Sequence, residues 1–259
     1  GRRVAGQARL QFRLGRGSSA TVIIHQQHTT MVNAVLEFDC ATGARLACAR
    51  IQRDADQALH LTASSFTLAD DAGLEFLSVD LGAGLARHDS HVRLAGRGAR
   101  ASVLGLQLAG GHRHLDNRSR LEHLAPATTS RERFHGIADG HGHAVFSGLV
   151  LVHPEARGTD ARLTNRNLLL TGTAEIDSKP ELEIYTDDVK CAHGATTGQL
   201  DSDALFYLRS RGIPPDIARE LLIRSFAREV IDAAQWPVLA EWLGADLARR
   251  MGPVDGDKA

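Results

Sequence analysis

A glycine-centred turn recurs through the chain, and each recurrence leads into a short run of apolar and β-branched side chains. GRGSSATVII surrounds Gly17, ATGARLACARI surrounds Gly43, DDAGLEFLSV surrounds Gly73 and GRGARASVLGLQL surrounds Gly98, with spacings of 26, 30 and 25 residues. Later turns, GHGHAVF at Gly140 and Gly142, ARGTDARL at Gly158 and GTAEIDS at Gly172, follow more closely. Imperfect self-similarity at a period of roughly 20–50 residues marks stacked repeats. Almost no helical periodicity interrupts the pattern before residue 199. An all-β unit leaves a solenoid, a sandwich or a propeller. A propeller blade needs four strands and a repeat of roughly 40 residues, and a sandwich does not require its turns to resemble one another. The pattern therefore predicts a mainly β protein. A right-handed parallel β-helix over residues 1–199, its coils stacking Leu, Val, Ile and Phe inward, fits the pattern best.

Past Leu200 the grammar changes. Asp201 is placed to cap a helix SDALFYLRSR that Gly212 ends. Pro214 and Pro215 open a second helix with Ile217, Leu221, Leu222, Phe226 and Val230 along one face. A third follows Trp236 and Pro237, with Leu239, Trp242, Leu243 and Leu247 as its apolar stripe, and the tail MGPVDGDKA reads as frayed. Residues 200–259 thus form a small helical region that either caps the solenoid or offers a face to a partner.

Charge and cysteine content restrict the functional classes. Lys plus Arg number 30 against 31 Asp plus Glu, a net charge of -1, which gives no whole-protein footprint for nucleic acid or an anionic membrane. The N-terminal GRRVAGQARL lacks the apolar core of a secretory signal and an initiating Met, so the chain reads as a trimmed piece of a cytoplasmic protein. Three cysteines, Cys40, Cys48 and Cys191, are too scattered for a disulfide framework and suit a reducing compartment. No GxxxxGK[ST] phosphate loop, HExxH or GxSxG elbow is present.

Cys191 and His193 stand two apart in a strand-like stretch, so their side chains share a face. Thiolate and imidazole together suit iron, zinc or Cu(I). Two donors are only half of a tetrahedral set, so the pair is either structural or completed across an interface or by a labile cluster. Cys40 and Cys48 flank a turn and read as core residues. The pairs His112/His114, His141/His143, Asn165/Asn167 and Glu181/Glu183 read as exposed ladders or polar stacks between coils. Glu181, Glu183, Asp187 and Asp188 also allow a polysaccharide-active β-helix enzyme, and the His pairs allow a metal-binding homodimer.

Four long segments carry a resemblance to a known family. They are DNRSRLEHLAPATTSRERFHGI (116–137), AVFSGLVLVHPEARGTDARLTNRNLLL (144–170), KPELEIYTDDVKCAHGATTGQLD (179–201) and ALFYLRSRGI (204–213). On these the chain resembles the SufB/SufD family of iron–sulfur cluster assembly proteins. The resemblance implies a non-catalytic scaffold subunit with a right-handed β-helix and a C-terminal helical region. It implies pairing with a SufB-like paralogue through the β-helices, and docking of a SufC-like ATPase on the helices, with Leu221, Leu222 and Phe226 as the docking residues. It further implies a transient iron–sulfur cluster or iron at the SufB–SufD interface, with Cys191 and His193 as this chain's share of the site. SufB-like chains carry His-Glu-Ala-Thr where this one has His193-Gly194-Ala195-Thr196, which places the resemblance on the SufD side. Two departures accompany it. The family's N-terminal helical region is missing, and His135 stands where the family more often has Lys. A homodimer is expected when the paralogue is absent, because unpaired strand edges seek partners.

Overall fold

In the computed structural model, which describes residues 5–250, the repeat resolves into seven coils of two strands each. The first strands of the coils are β1 (Ala5–Leu14), β3 (Met31–Cys40), β5 (Leu59–Leu68), β7 (Leu85–Leu94), β9 (His114–His123), β11 (His143–Val152) and β13 (Glu175–Ile184). The second strands are β2 (Ser19–Gln26), β4 (Arg45–Gln52), β6 (Gly73–Asp80), β8 (Arg100–Ala109), β10 (Thr129–Ala138), β12 (Thr159–Leu169) and β14 (Val189–Gly198). Each strand pairs in parallel with the strand two places on in the chain, giving two seven-stranded sheets. Only a chain that coils back above itself produces that order. The fold is the parallel β-helix that the turn periodicity predicts.

In the first six coils the turn joining the two strands holds one residue in the left-handed region: Gly17, Gly43, Asp71, Gly98, Ala127 or Gly158. The N–H of each donates to the carbonyl just ahead of the equivalent residue one coil on, as from Gly43 to Asp70 and from Asp71 to Arg97, both at 2.8 Å. The turns therefore stack as a ladder of their own. Glycine suits the position because it has no Cβ, while Asp71 (φ 53°) and Ala127 (φ 58°) occupy it at a cost of about 1–2 kcal/mol. This corrects the reading of Gly73 as a turn centre: Asp71 makes the turn, and Gly73 is the first residue of β6.

Side chains alternate between the lumen and the outside along every strand. Half of the lumen is apolar. The rings of Phe12, Phe38 and Phe66 stack at 4.8 Å, the spacing of the strands that carry them. Cys40 and Cys48 lie in the same half, and burial pushes their thiols up to about 11 and about 12. The other half carries a column of buried polar groups. Arg50 and Asp80 form an ion pair at 2.6 Å, shielded from solvent, and Arg50 also donates to Ser78. Asn117 donates to Gln107 at 2.8 Å, and Asn167 to Asn165 at 2.7 Å. The Asn165/Asn167 pair thus lies inside the lumen rather than on an exposed ladder, because register turns both side chains inward.

Three helices follow the last strand. α1 (Ser202–Ser210) begins as predicted, with the Asp201 carboxylate accepting from the Asp203 and Ala204 N–H groups. α2 (Pro215–Asp232) and α3 (Pro237–Arg250) lie on the outer face of the second sheet. That face is apolar at Ile51, Val79, Leu104 and Leu106, so it needs covering. α2 buries Ala218, Ile223, Ala227, Val230 and Ile231. This differs from the predicted face, of which Ile217 and Leu221 remain exposed. The two alanines allow close approach to the sheet, which the large-residue stripe does not. Leu239, Leu243 and Leu247 of α3 are buried, while Trp242 stays partly exposed under Arg53. The tail MGPVDGDKA lies outside the described residues. Among the described residues, no helix is long and apolar enough to cross a membrane.

Candidate functional site

Register fixes the direction of the Cys-x-His pair. Cys191 lies beside Ala161 and His193 beside Leu163, and neighbours in a parallel ladder face the same way. Ala161 and Leu163 are fully buried in the lumenal core. Cys191 and His193 therefore occupy lumenal positions. In the described chain β13 and β14 are the edges of their sheets, so the last coil forms an open mouth. Cys191 packs against the rim of the core and is half-buried, whereas His193 is exposed.

Burial raises the Cys191 thiol above its ordinary value, a backbone hydrogen bond from Ala161 partly offsets this, and Asp160 adds to the rise. The sulfur is therefore a neutral thiol in the isolated chain and must release a proton to ligate metal. Among the described residues, no three His, Cys, Asp or Glu side chains are grouped to hold a metal ion. Cys191 and His193 supply a soft and a borderline donor that fit iron, and a complete site needs further ligands from outside. Gly194 points to the opposite side of β14, and a Cβ there would meet nothing within 4 Å. Packing does not require glycine at this position.

The mouth also exposes backbone and apolar groups. Its edge strands carry unpaired backbone groups, and Ile184 and Tyr185 at the end of β13 are exposed. Glu181 and Glu183 project from the outer side of β13, where Lys179 bridges Glu181 at 3.0 Å. They face away from Cys191 and His193. The His pairs meet across neighbouring coils: His112 stacks on His141 at 5.0 Å, and His114 meets His143 edge-on at 4.6 Å. His143 also meets Asp177 at 2.8 Å.

On the helices, Leu221 is exposed and Leu222 half-buried. Phe226 faces the solenoid. Its ring stacks on His135 at 4.6 Å, its carbonyl lies 2.9 Å from His135 Nδ1, and the Arg166 guanidinium covers it at 5.4 Å. Phe206 and Tyr207 of α1, not singled out from the sequence, are exposed at 72% and 57%. Adjacent aromatics in so short a helix were the available signal.

The fold and this half-site define a class of parallel β-helix proteins that present donor side chains at an open end. Residues 1–226 match the family described as SUF system FeS cluster assembly, SufBD core domain. The chain belongs to that family. It is 38% identical over 250 residues to an iron–sulfur cluster assembly SufBD family protein of Mycobacterium leprae, covering 93% of this chain and 64% of the relative. It is 35% identical over 244 residues to the iron–sulfur cluster assembly protein SufD of Escherichia coli, covering 92% and 57%. A chloroplastic protein of Arabidopsis thaliana, ABCI7, is 34% identical over 201 residues, covering 77% and 42%. The chain spans about three fifths of the length of the first two.

Proposed function

We propose that this chain is a non-catalytic scaffold subunit of SUF iron–sulfur cluster assembly, of the SufD type. It joins a SufB-like paralogue through the open last coil and carries a SufC-like ATPase on its C-terminal helices. The observation that carries the reading is the placement of Cys191 and His193 on lumenal positions that no further described coil covers. A partner with the same cross-section can continue both sheets across the mouth, satisfying the edge groups and bringing its own ligands to the half-site. The nascent cluster is cargo. His193, exposed, offers an imidazole, and Cys191 offers a thiolate once its proton leaves. ATP hydrolysis belongs to the partner ATPase, whose closure would rearrange the junction. Alone, the chain would pair with a second copy through the same edges and hold no cluster tightly. Its three free cysteines suit a reducing, cytoplasmic setting.

Co-expression with a SufB-like and a SufC-like protein tests this. His193→Ala should form the complex and assemble fewer clusters, read from the visible absorbance after reconstitution with iron and sulfide. Leu221→Asp should lose the ATPase and keep the paralogue. A chain that copurifies with neither protein sinks the proposal.

A further inference from the structure

α2 and α3 cover only half of the outer face of the second sheet. The other half, formed by the first residues of β2, β4, β6, β8 and β10, carries a groove of about 650 Å³. Its floor is made of small residues, among them Ala47, Gly73, Ser102 and Thr129, and its walls carry Arg45, Arg100 and Arg131. Gly73 decides how the first of these lies. A Cβ at Gly73 would sit 2.6 Å from Arg45 Nη1 and 3.1 Å from its Cδ. The Arg45 side chain therefore rests across β6 over bare backbone. Register sets Arg100 on the far side of the same glycine, so two guanidinium groups line one short row.

Arg131 is held by Asp160 at 2.6 Å. Among the described residues, Arg45 and Arg100 have no carboxylate within ion-pair distance, and Asp70 in the adjoining turn is bonded to the Arg97 N–H. Arg162 and Lys190 extend the same two rows, leaving Glu75 and Asp160 as their carboxylates. A chain of net charge -1 thus concentrates cations on one strip.

We propose that this groove binds an extended acidic segment of a partner protein. Five strands at about 4.8 Å make a groove roughly 19 Å long, the span of about six extended residues. The small floor admits a main chain, and the hydroxyls of Ser19, Thr21, Ser102 and Thr129 can bond to it. Guanidinium groups bind carboxylates through paired hydrogen bonds. Glu75 stands among the arginines and repels a uniformly charged backbone, which favours acids set at intervals. Among the described residues no aromatic side chain lines the groove, so single-stranded nucleic acid would find no stacking platform there.

The test uses the full chain and a fluorescein-labelled octapeptide of alternating Glu and Ala, followed by anisotropy at low and high salt. Binding should weaken with salt, and Arg45→Glu with Arg100→Glu should weaken it about ten-fold or more. Both side chains are exposed, so the urea midpoint of the double variant should stay near that of the parent. Ser102→Trp fills the floor and leaves every charge in place, and it should also abolish binding. Retained affinity in the double variant overturns the proposal. Loss in the double variant without loss in Ser102→Trp also overturns it, because attraction is then diffuse and the groove is not used. A single-stranded oligonucleotide of equal charge that binds more tightly than the peptide overturns the choice of occupant.

Discussion

The sixth and seventh coils use equivalent positions for opposite ends. In β12, Ala161 and Leu163 point into a lumen closed on both sides and are fully buried. One coil on, Cys191 and His193 take the same register and meet a mouth. The interior of a solenoid thus becomes a surface wherever stacking stops, and donor groups can be presented there without a pocket being built for them. Removing side chains from the two coils separates these roles. Leu163→Ala should lower unfolding stability by about 2–5 kcal/mol, as for other buried leucines. His193→Ala should change it by less than about 0.5 kcal/mol. Urea unfolding monitored by circular dichroism reads both. Equal losses would mean that the last coil is packed like the others.

The closed lumen also holds a charge-bearing group that the mouth would tolerate more readily. Glu132 of β10 is buried, and among the described residues neither of its side-chain oxygens has a hydrogen-bond partner. Burial pushes its carboxyl up to about 7. An acid whose folded value lies above its unfolded value of 4.5 keeps its proton longer in the native state. Stability is then full below the unfolded value and falls as pH rises from there through about 7. The total is on the order of 3 kcal/mol by pH 8. His123 works in the opposite direction. Burial pushes it down to about 4, so it stays neutral between Thr128 and Ser130, and its contribution is lost as pH falls from 6.5 towards 4. Glu132→Gln should therefore raise the urea midpoint at pH 8 far more than at pH 5. An equal gain at both would show that the carboxyl is already ionised or solvated.

A third contrast concerns glycine. At Gly105, inside the closed lumen, a Cβ would lie 1.9 Å from the Phe134 ring. Gly105→Ala should force that ring aside and cost about 1–3 kcal/mol. A thermal scan showing no loss would mean that the lumen has slack that the stacked rings do not suggest.

These contrasts also mark how far the sequence could be read. The coils were legible because most turns spend a glycine on the left-handed position. Asp71 and Ala127 hid two of them, since neither residue type announces a positive φ. The shared face of Cys191 and His193 followed from strand alternation alone. Their exposure did not, because alternation is the same in a covered coil and an open one. The buried polar column was illegible for a related reason. His88, Gln107 and Asn117 alternate with other residues as solvent-facing side chains do, and only register turns them inward. On α2 the large apolar residues suggested one face. The sheet instead took the side bearing Ala218 and Ala227, where close approach outweighs side-chain size.

The smallest expected effect bears most directly on which paralogue the chain represents. Gly194 follows His193, and its missing side chain points away from the lumen into open space. Replacing it with Glu recreates the His-Glu sequence that the resemblance assigns to SufB-like chains. No packing opposes the change, and a non-glycine residue in a strand restricts the unfolded chain. Gly194→Glu should therefore shift stability by no more than about 0.5 kcal/mol, in contrast with Gly105→Ala. A large destabilisation would assign this glycine to the fold. An unchanged midpoint, with altered cluster yield in the reconstituted complex, would assign it to the chemistry of the mouth.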